Sequence, residues 1–80
     1  MKASNVPVQA AFEDLLKKIG NKLYDIRHSR REKITNVANG VGVSHPVISL
    51  IENGRYKSLT FNLLHKICEY YEVELLSIIK

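Results

Sequence analysis

The stretch "GVSHPVISLIENG", residues 42–54, decides the fold of this 80-residue chain. The stretch begins and ends with glycine, and the residue types between the two glycines predict one short helix. Ser44 carries a hydroxyl of the kind that caps helix N-termini, and Pro46 falls in the first turn, where a missing N–H costs little. Asn53-Gly54 then ends the helix, because glycine readily adopts the left-handed conformation found there.

This helix has two faces of different chemistry. At 100° per residue, small or polar side chains and one leucine share an arc of about 140°: His45, Pro46, Ser49, Leu50 and Asn53. The opposite side is apolar: Val47, Ile48 and Ile51. We therefore expect one face to pack on the protein and the other to stay exposed.

The rest of the chain shows helical periodicity. Apolar residues at three- and four-residue steps predict a first helix over about residues 7–28. The sequence "SRRE" (29–32) has the S-x-x-E form of a capping box and predicts the start of a second helix, which ends near Gly40–Gly42. Thr60 is the predicted cap of a fourth helix, and residues 74–80 are expected to form a fifth. The predicted core face of the fourth helix is Leu63, Leu64, Ile67, Cys68 and Tyr71.

These elements predict an all-α fold, a compact bundle of four to five short helices that contains a helix-turn-helix. We expect one domain over residues 1–80, with residues 1–6 as a flexible tail and about 72–80 as a candidate dimerisation element. The apolar residues near the two ends exceed what a four-helix core is expected to bury. They are Val8, Phe12, Leu75, Leu76, Ile78 and Ile79. The last four form the expected dimer interface, and the alternative left open is that the N-terminal extension also contributes to it.

Composition narrows the class of protein. The hydrophobic fraction of 45% and charged fraction of 25% are those of a soluble globular domain. A single cysteine offers no disulfide framework, the first residues are too polar for a signal peptide, and no apolar run is long enough for a membrane span, so we expect a cytoplasmic protein.

The charge of the chain is concentrated in its middle. Residues 15–57 contain nine Lys or Arg and three acidic residues, a net charge of +6 within a total of +4. A basic segment of this kind suits a polyanionic partner such as nucleic acid. It is equally compatible with a solvated basic surface, and charge alone does not decide between the two.

Four segments together resemble a known family. "IGNKLYDIR" (19–27), "VANGVGVS" (37–44), "VISLIENG" (47–54) and "LHKICEYYEV" (64–73) are similar, in order and in spacing, to blocks of lambda-repressor-like, or Cro-type, helix-turn-helix transcriptional regulators. That family is also called the xenobiotic-response-element family. The resemblance implies that the helix after Ser44 is a recognition helix that enters the DNA major groove.

The resemblance also implies roles for individual residues. His45, Pro46, Ser49 and Leu50 match base-facing positions, and Asn53 and Arg55 match phosphate-contacting positions. Arg27 and Glu52 match a structural ion pair between the first helix and the end of the third. We add to the expected phosphate contacts the neighbouring polar and basic residues Arg30, Arg31, Lys33, Ser44 and Lys57.

Some positions depart from the family pattern. Pro46 and Leu50 stand where the family often has Gln, Ser, Lys or Arg, and neither side chain can hydrogen-bond to a base edge. "KI" (33–34) replaces the usual cap followed by Gln at the start of the second helix. Base reading would then depend on His45, Ser49 and DNA shape.

Two functions follow from these observations. The first is a sequence-specific regulator of transcription that binds a palindromic double-stranded DNA operator as a homodimer, either a repressor or a controller protein. The alternative is a protein-interaction module on the same scaffold, such as an antitoxin or adaptor, which the apolar Pro46 and Leu50 favour. We expect no enzyme activity and no cofactor. We also expect no metal site: His65, Cys68 and Glu69 share a helix face but lack a complete ligand set.

Overall fold

The computed structural model describes residues 7–80, which fold into five α-helices. These are α1 (Val8–Ser29), α2 (Ile34–Val41), α3 (His45–Glu52), α4 (Phe61–Tyr71) and α5 (Leu75–Ile79). No strand occurs over these residues, which confirms the predicted all-α class. The expected tail at residues 1–6 lies outside the described part of the chain. None of the five helices combines the length and apolar character that a bilayer crossing requires.

The predicted capping box at residues 29–32 is wrong. Ser29 is the last residue of α1, and its hydroxyl donates to the Ile26 carbonyl at 2.9 Å. The chain then turns through Arg31, whose φ of 56° is left-handed, and α2 begins only at Ile34, after Lys33. Ser29 and Glu32 therefore do not flank a helix start, and the Glu32 carboxylate instead accepts a hydrogen bond from the Tyr70 hydroxyl at 3.0 Å.

The other helix ends follow the predicted chemistry more closely. Gly42, with φ of 90°, ends α2, and its N–H donates to the Ala38 carbonyl at 2.8 Å. The Thr60 hydroxyl accepts a hydrogen bond from the Leu63 N–H at 3.0 Å, as expected of a cap. Ser44 occupies the N-cap position of α3, but its hydroxyl makes no capping hydrogen bond. The position of that cap is therefore predicted correctly and its hydrogen bond is not.

The core forms where all five helices meet. Its buried side chains come from every helix: Ile19, Leu23, Val37, Ala38, Ile48, Ile51, Leu64, Ile67, Cys68, Tyr71 and Ile78. The predicted core face of α4 is confirmed except for Leu63, which is half-buried at its edge. Burial raises the pKa of the Cys68 thiol, so this cysteine is a core residue rather than a reactive one.

The fifth helix corrects one part of the expected dimer interface. Ile78 is 2% exposed and packs inside its own chain, so it has no surface to offer a partner. Leu75 and Ile79 are half-buried against the same core, and Leu76 is 64% exposed. The Lys22 ammonium holds this helix in place by donating to the carbonyls of Ser77 and Lys80, at 3.1 and 2.8 Å.

Two glycines allow α1 and the C-terminal end of α3 to approach closely. A Cβ on Gly20 would lie 2.6 Å from the Glu52 carbonyl oxygen and would also overlap that of Ile51. After α3, Gly54 has φ of 72°, and a Cβ there would lie 2.8 Å from the Cα of Lys17. The two backbones are therefore in contact, and their spacing leaves no room for side chains between them.

An ion pair fixes the same junction. The Arg27 guanidinium donates to both carboxylate oxygens of Glu52, from Nε at 2.7 Å and from a terminal nitrogen at 3.0 Å. The other terminal nitrogen donates to the Glu32 carbonyl at 3.0 Å. The two side chains are 12% and 6% exposed, and the hydrogen bond to Glu52 raises the pKa of Arg27. One side chain thus connects α1, the turn before α2, and α3.

We predict that Gly20→Ala destabilises the protein. Alanine is a better helix former than glycine by about 1 kcal/mol, so the substitution would stabilise a helix at a position with free space around it. Here the added methyl group meets carbonyl oxygens, and overpacking typically costs about 1–3 kcal/mol. Asn21→Ala, at the exposed next position, is the control and should leave the melting temperature unchanged or raise it. Thermal denaturation followed by circular dichroism measures both, and a stabilised Gly20→Ala variant would contradict the close crossing.

We predict a larger loss for Arg27→Ala. Removing one partner of a buried pair leaves the other charge stranded, at about 3–5 kcal/mol. Arg27→Lys should also lower the melting temperature, because an ammonium cannot donate to both oxygens in the same planar geometry. Lys18→Ala, an exposed cation on the same helix, serves as the control. If Arg27→Ala melted with the control, the pair would have no role in stability.

Candidate nucleic-acid interface

The third helix separates its side chains as the sequence predicts, into a buried and an exposed face. Ile48 and Ile51 are each 2% exposed and pack in the core. On the opposite face His45 and Pro46 are exposed, Leu50 is 39% exposed and Ser49 is half-buried. The four expected base-facing residues therefore share one accessible surface, with its two hydrogen-bonding side chains at His45 and Ser49. We call these four residues the reading face.

The N-terminal end of this helix is open. The carbonyl of Ser44 accepts the Val47 N–H at 3.1 Å, whereas its hydroxyl is not engaged in capping. Pro46 has no N–H to satisfy, and the first amides of any helix lack partners within the helix. This end of α3 thus presents a free hydroxyl and a positive helix-dipole end, both of which suit a phosphate oxygen.

The basic residues between α1 and α2 have different environments. Arg30 is already engaged: its guanidinium donates to the Tyr71 carbonyl at 2.6 Å and lies 5.5 Å from the centre of the Tyr71 ring. Arg31 is exposed in the left-handed turn, and Lys33 is exposed at the N-cap position of α2. Arg31 and Lys33 therefore present accessible positive charge next to the N-terminus of α2, while Arg30 stabilises the C-terminal end of α4.

A second basic group follows the recognition helix. Arg55 is exposed, and its backbone N–H is fixed by the Leu50 carbonyl at 2.9 Å. Lys57 lies 3.4 Å from the Glu13 carboxylate in an exposed pair. The side-chain amide of Asn53 donates to the Ser49 carbonyl at 2.9 Å, so its nitrogen is directed back at its own helix. Among the phosphate contacts expected in this segment, Arg55 differs from Lys57 because its charge is not paired with a carboxylate within residues 7–80. Its backbone is also held in place by the hydrogen bond to Leu50.

Lys17 joins this second group and is absent from the site expected from the sequence. Its backbone and side chain lie against Gly54, next to Arg55, and its side chain is exposed. Lys17 precedes Gly54 by 37 residues. No sequence motif relates the two positions, since their proximity depends on the crossing of α1 over the end of α3.

The residues considered for metal binding do not form a site. Cys68 is buried, whereas His65 and Glu69 are exposed and lie 3.4 Å apart as an i, i+4 pair. Over residues 7–80 no group of three or more potential ligands is close enough to hold an ion. Tyr70 is half-buried between Glu32 and Gly40 of its own chain.

Comparison with known proteins supports a nucleic-acid interface at this surface. A family model described as a Cro/C1-type HTH DNA-binding domain matches residues 22–79. The match covers α2, α3, α4, α5 and the C-terminal third of α1, and so includes the reading face and both basic groups except Lys17. No curated protein matches the chain.

Proposed function

The chain belongs to the Cro/C1-type HTH DNA-binding domain family, and from that premise we propose that it regulates transcription by recognising a specific double-stranded DNA sequence as a homodimer. The main observation in support of this proposal is that the reading face of α3 is accessible while the opposite side of the helix is fixed in the core. In this proposal the protein is a repressor or a controller protein that acts in the cytoplasm of a prokaryote or in a phage-infected cell. A two-fold symmetric dimer matches a palindromic operator, and we propose half-sites one helical turn apart.

We assign base reading to the N-terminal half of α3. In helix-turn-helix proteins this end of the recognition helix reaches the base edges. The His45 imidazole and the Ser49 hydroxyl can each hydrogen-bond to a base, while Pro46 and Leu50 can only contact apolar groups such as the thymine methyl. Direct readout is thus limited to a few base pairs, and sequence-dependent DNA shape supplies the remaining discrimination.

Phosphate binding is assigned to groups on either side of the reading face. Arg31 and Lys33 lie before α2, Ser44 caps α3, and Arg55 and Lys57 follow it. Lys17 extends the second group, whereas Asn53 can offer a phosphate only the second N–H of its side-chain amide, because the first donates to the Ser49 carbonyl. We rank Arg30 below these residues, because one of its N–H groups already donates to the Tyr71 carbonyl and holds the guanidinium against α4.

A protein-interaction module is the second candidate function. The observation in its favour is Leu50, which is 39% exposed at one edge of the reading face, next to the exposed ring of Pro46. An apolar pair at that place is an unusual choice for a surface that reads polar base edges. Basic charge on both sides of it favours DNA.

Salt dependence separates the two functions. Each phosphate neutralised on duplex DNA lowers the slope of log K against log salt concentration by about 0.9, so a DNA-binding surface with several cations should show a slope of several units. We expect this for a mixed-sequence duplex measured by fluorescence anisotropy between about 50 and 200 mM salt. Binding that is weak and nearly independent of salt would favour the protein-interaction module.

Substitutions on and beside α3 should fall into two classes. His45→Ala should relax the preference for one or two base pairs, each worth about 1–3 kcal/mol, and leave the salt slope almost unchanged. Arg55→Ala should weaken binding to specific and scrambled duplexes alike and reduce the slope by about one unit. The specific duplex comes from selection of a random pool with the wild-type protein.

The control for this pair is Lys66→Ala, which removes an exposed cation from α4, outside both basic groups. It should match the wild type on every duplex. If His45→Ala and Arg55→Ala lost the same affinity on all duplexes, α3 would lie near DNA without reading it. If neither variant lost affinity, DNA would be the wrong partner.

A further inference from the structure

The N-terminal half of α1 carries an apolar stripe that nothing in the described chain covers. Val8 is 87% exposed, Phe12 40% and Leu15 41%, and Ala11 between them is also exposed. At 100° per residue these four positions share an arc of about 100°. Their spacing of i, i+3, i+4 and i+7 is the spacing of a seam between two packed helices. We call these four residues the α1 stripe.

The stripe continues into a groove between α1 and the start of α4. The groove has a volume of about 190 Å³. It is lined by Phe12, Leu15, Leu16, Ile19, Leu59, Thr60, Phe61 and Leu64. Seven of these eight residues are apolar, and Phe61 stands at its edge with 71% of its surface exposed. The stripe and the groove form one continuous apolar surface.

We propose that a second copy of this chain packs on that surface, with the two α1 helices antiparallel across a two-fold axis. An axis between positions 11 and 12 sets Val8 opposite Leu15 of the second copy, brings the two copies of Ala11 together on one side of the seam and places the two copies of Phe12 on the other. The alanines allow the helices to approach and the phenylalanines fill the other side, so the stripe is complementary to itself, as an isologous interface requires. The proposal rests on the homodimer of the proposed function and identifies its interface.

The size of the surface suits a dimer. A fully accessible aromatic side chain has an area of about 150–250 Å². On that scale, the exposed fractions of Val8, Phe12, Leu15 and Phe61 correspond to a total exposed area on the order of 400 Å². A standard interface buries about 800 Å² per partner, with an apolar centre and a polar rim. The apolar surface is about the size of such a centre, and the exposed Gln9, Asp14 and Lys18 flank it as a rim.

The C-terminal helix is a poorer candidate for the interface. Ile78 is buried, Leu75 and Ile79 are half-buried, and Leu76, at 64%, is the one exposed apolar side chain of α5. A single exposed leucine is ordinary for a protein surface, whereas a contiguous patch indicates an interaction. The α1 stripe also precedes residue 22, where the family match begins, so the match does not extend to the stripe, although it includes the groove residues 59–64.

Dimerisation at this surface leaves α3 free. None of the four residues of the reading face lines the groove. The groove adjoins the connection that leads from the C-terminal end of α3 to α4, while base reading is assigned to the N-terminal end of α3. Both surfaces can be occupied in the same molecule.

The test compares Ala11→Glu with Leu76→Glu in the 80-residue chain, by sedimentation velocity without DNA. The wild type should be a dimer at tens of micromolar. Ala11→Glu brings two carboxylates together at the two-fold axis and should raise the dimer dissociation constant at least about 100-fold. Leu76→Glu should sediment as the wild type does. Position 11 is exposed near a helix N-terminus, where an acidic residue is tolerated, so the melting temperature of the Ala11→Glu monomer should equal that of a wild-type sample diluted to monomer.

A second measurement identifies the contact itself. Ala11→Cys chains should form a disulfide-linked dimer under mild oxidation, and Leu76→Cys chains should not, because only position 11 meets its own copy at the proposed axis. The buried Cys68 takes no part in either case. A wild type that sediments as a monomer, or a dimer that Leu76→Glu disrupts and Ala11→Glu does not, would overturn the proposal. The salt slope of DNA binding is measured separately. A monomer that binds DNA would refute the dimer interface and leave the proposed DNA binding standing. A dimer formed through the α1 stripe that has no affinity for DNA would refute the proposed DNA binding alone.

Discussion

The position of the recognition helix depends on the Arg27 guanidinium. Its rigid fork satisfies two oxygens of Glu52 and one backbone carbonyl at Glu32, so a single planar group sets the distance between α1, the turn before α2, and α3. An eight-residue helix such as α3 has few internal hydrogen bonds and little intrinsic stability, since helices shorter than about 12–15 residues are marginal in water. Its geometry must come from the surroundings. Beside the ion pair, Gly20 and Gly54 allow the backbones of α1 and α3 to touch, and Ile48 and Ile51 fix the rotation about the helix axis.

Features controlled by local sequence could be predicted, and those that depend on distant contacts could not. The helical period, the glycine at the end of α2, and the Thr60 cap involve residues within one or two turns of each other, so the pattern alone indicates them. The "SRRE" motif failed because Glu32 interacts with Tyr70, which is 38 residues away, and Arg31 takes a left-handed conformation that ends the turn. Ile78 was placed at the surface since a fifth helix of five residues gives no periodicity from which to tell its buried side.

The same reasoning applies to the candidate site. The reading face follows from helical geometry and the two flanking glycines, and the structure exposes the expected side chains. Lys17 could not be found this way, because its proximity to Arg55 exists only where two helices cross. Nor could the sequence distinguish the free cations from the engaged ones. Arg30 and Arg31 are adjacent in sequence, yet one guanidinium binds a carbonyl at the end of α4 and the other side chain is exposed.

The contact between Arg30 and Tyr71 has a thermodynamic consequence for ligand binding. An anion that draws this guanidinium away from α4 must break its hydrogen bond to the last carbonyl of that helix, and a hydrogen bond from a charged donor is worth about 1.5–3 kcal/mol. Anion binding of that kind and the contact at the corner between α4 and α5 therefore oppose each other, and the linkage is reciprocal: each weakens the other by the same free energy. The contact at this corner thus lowers the affinity of Arg30 for such an anion, whereas Arg31, one residue away, is exposed and makes no part of the contact.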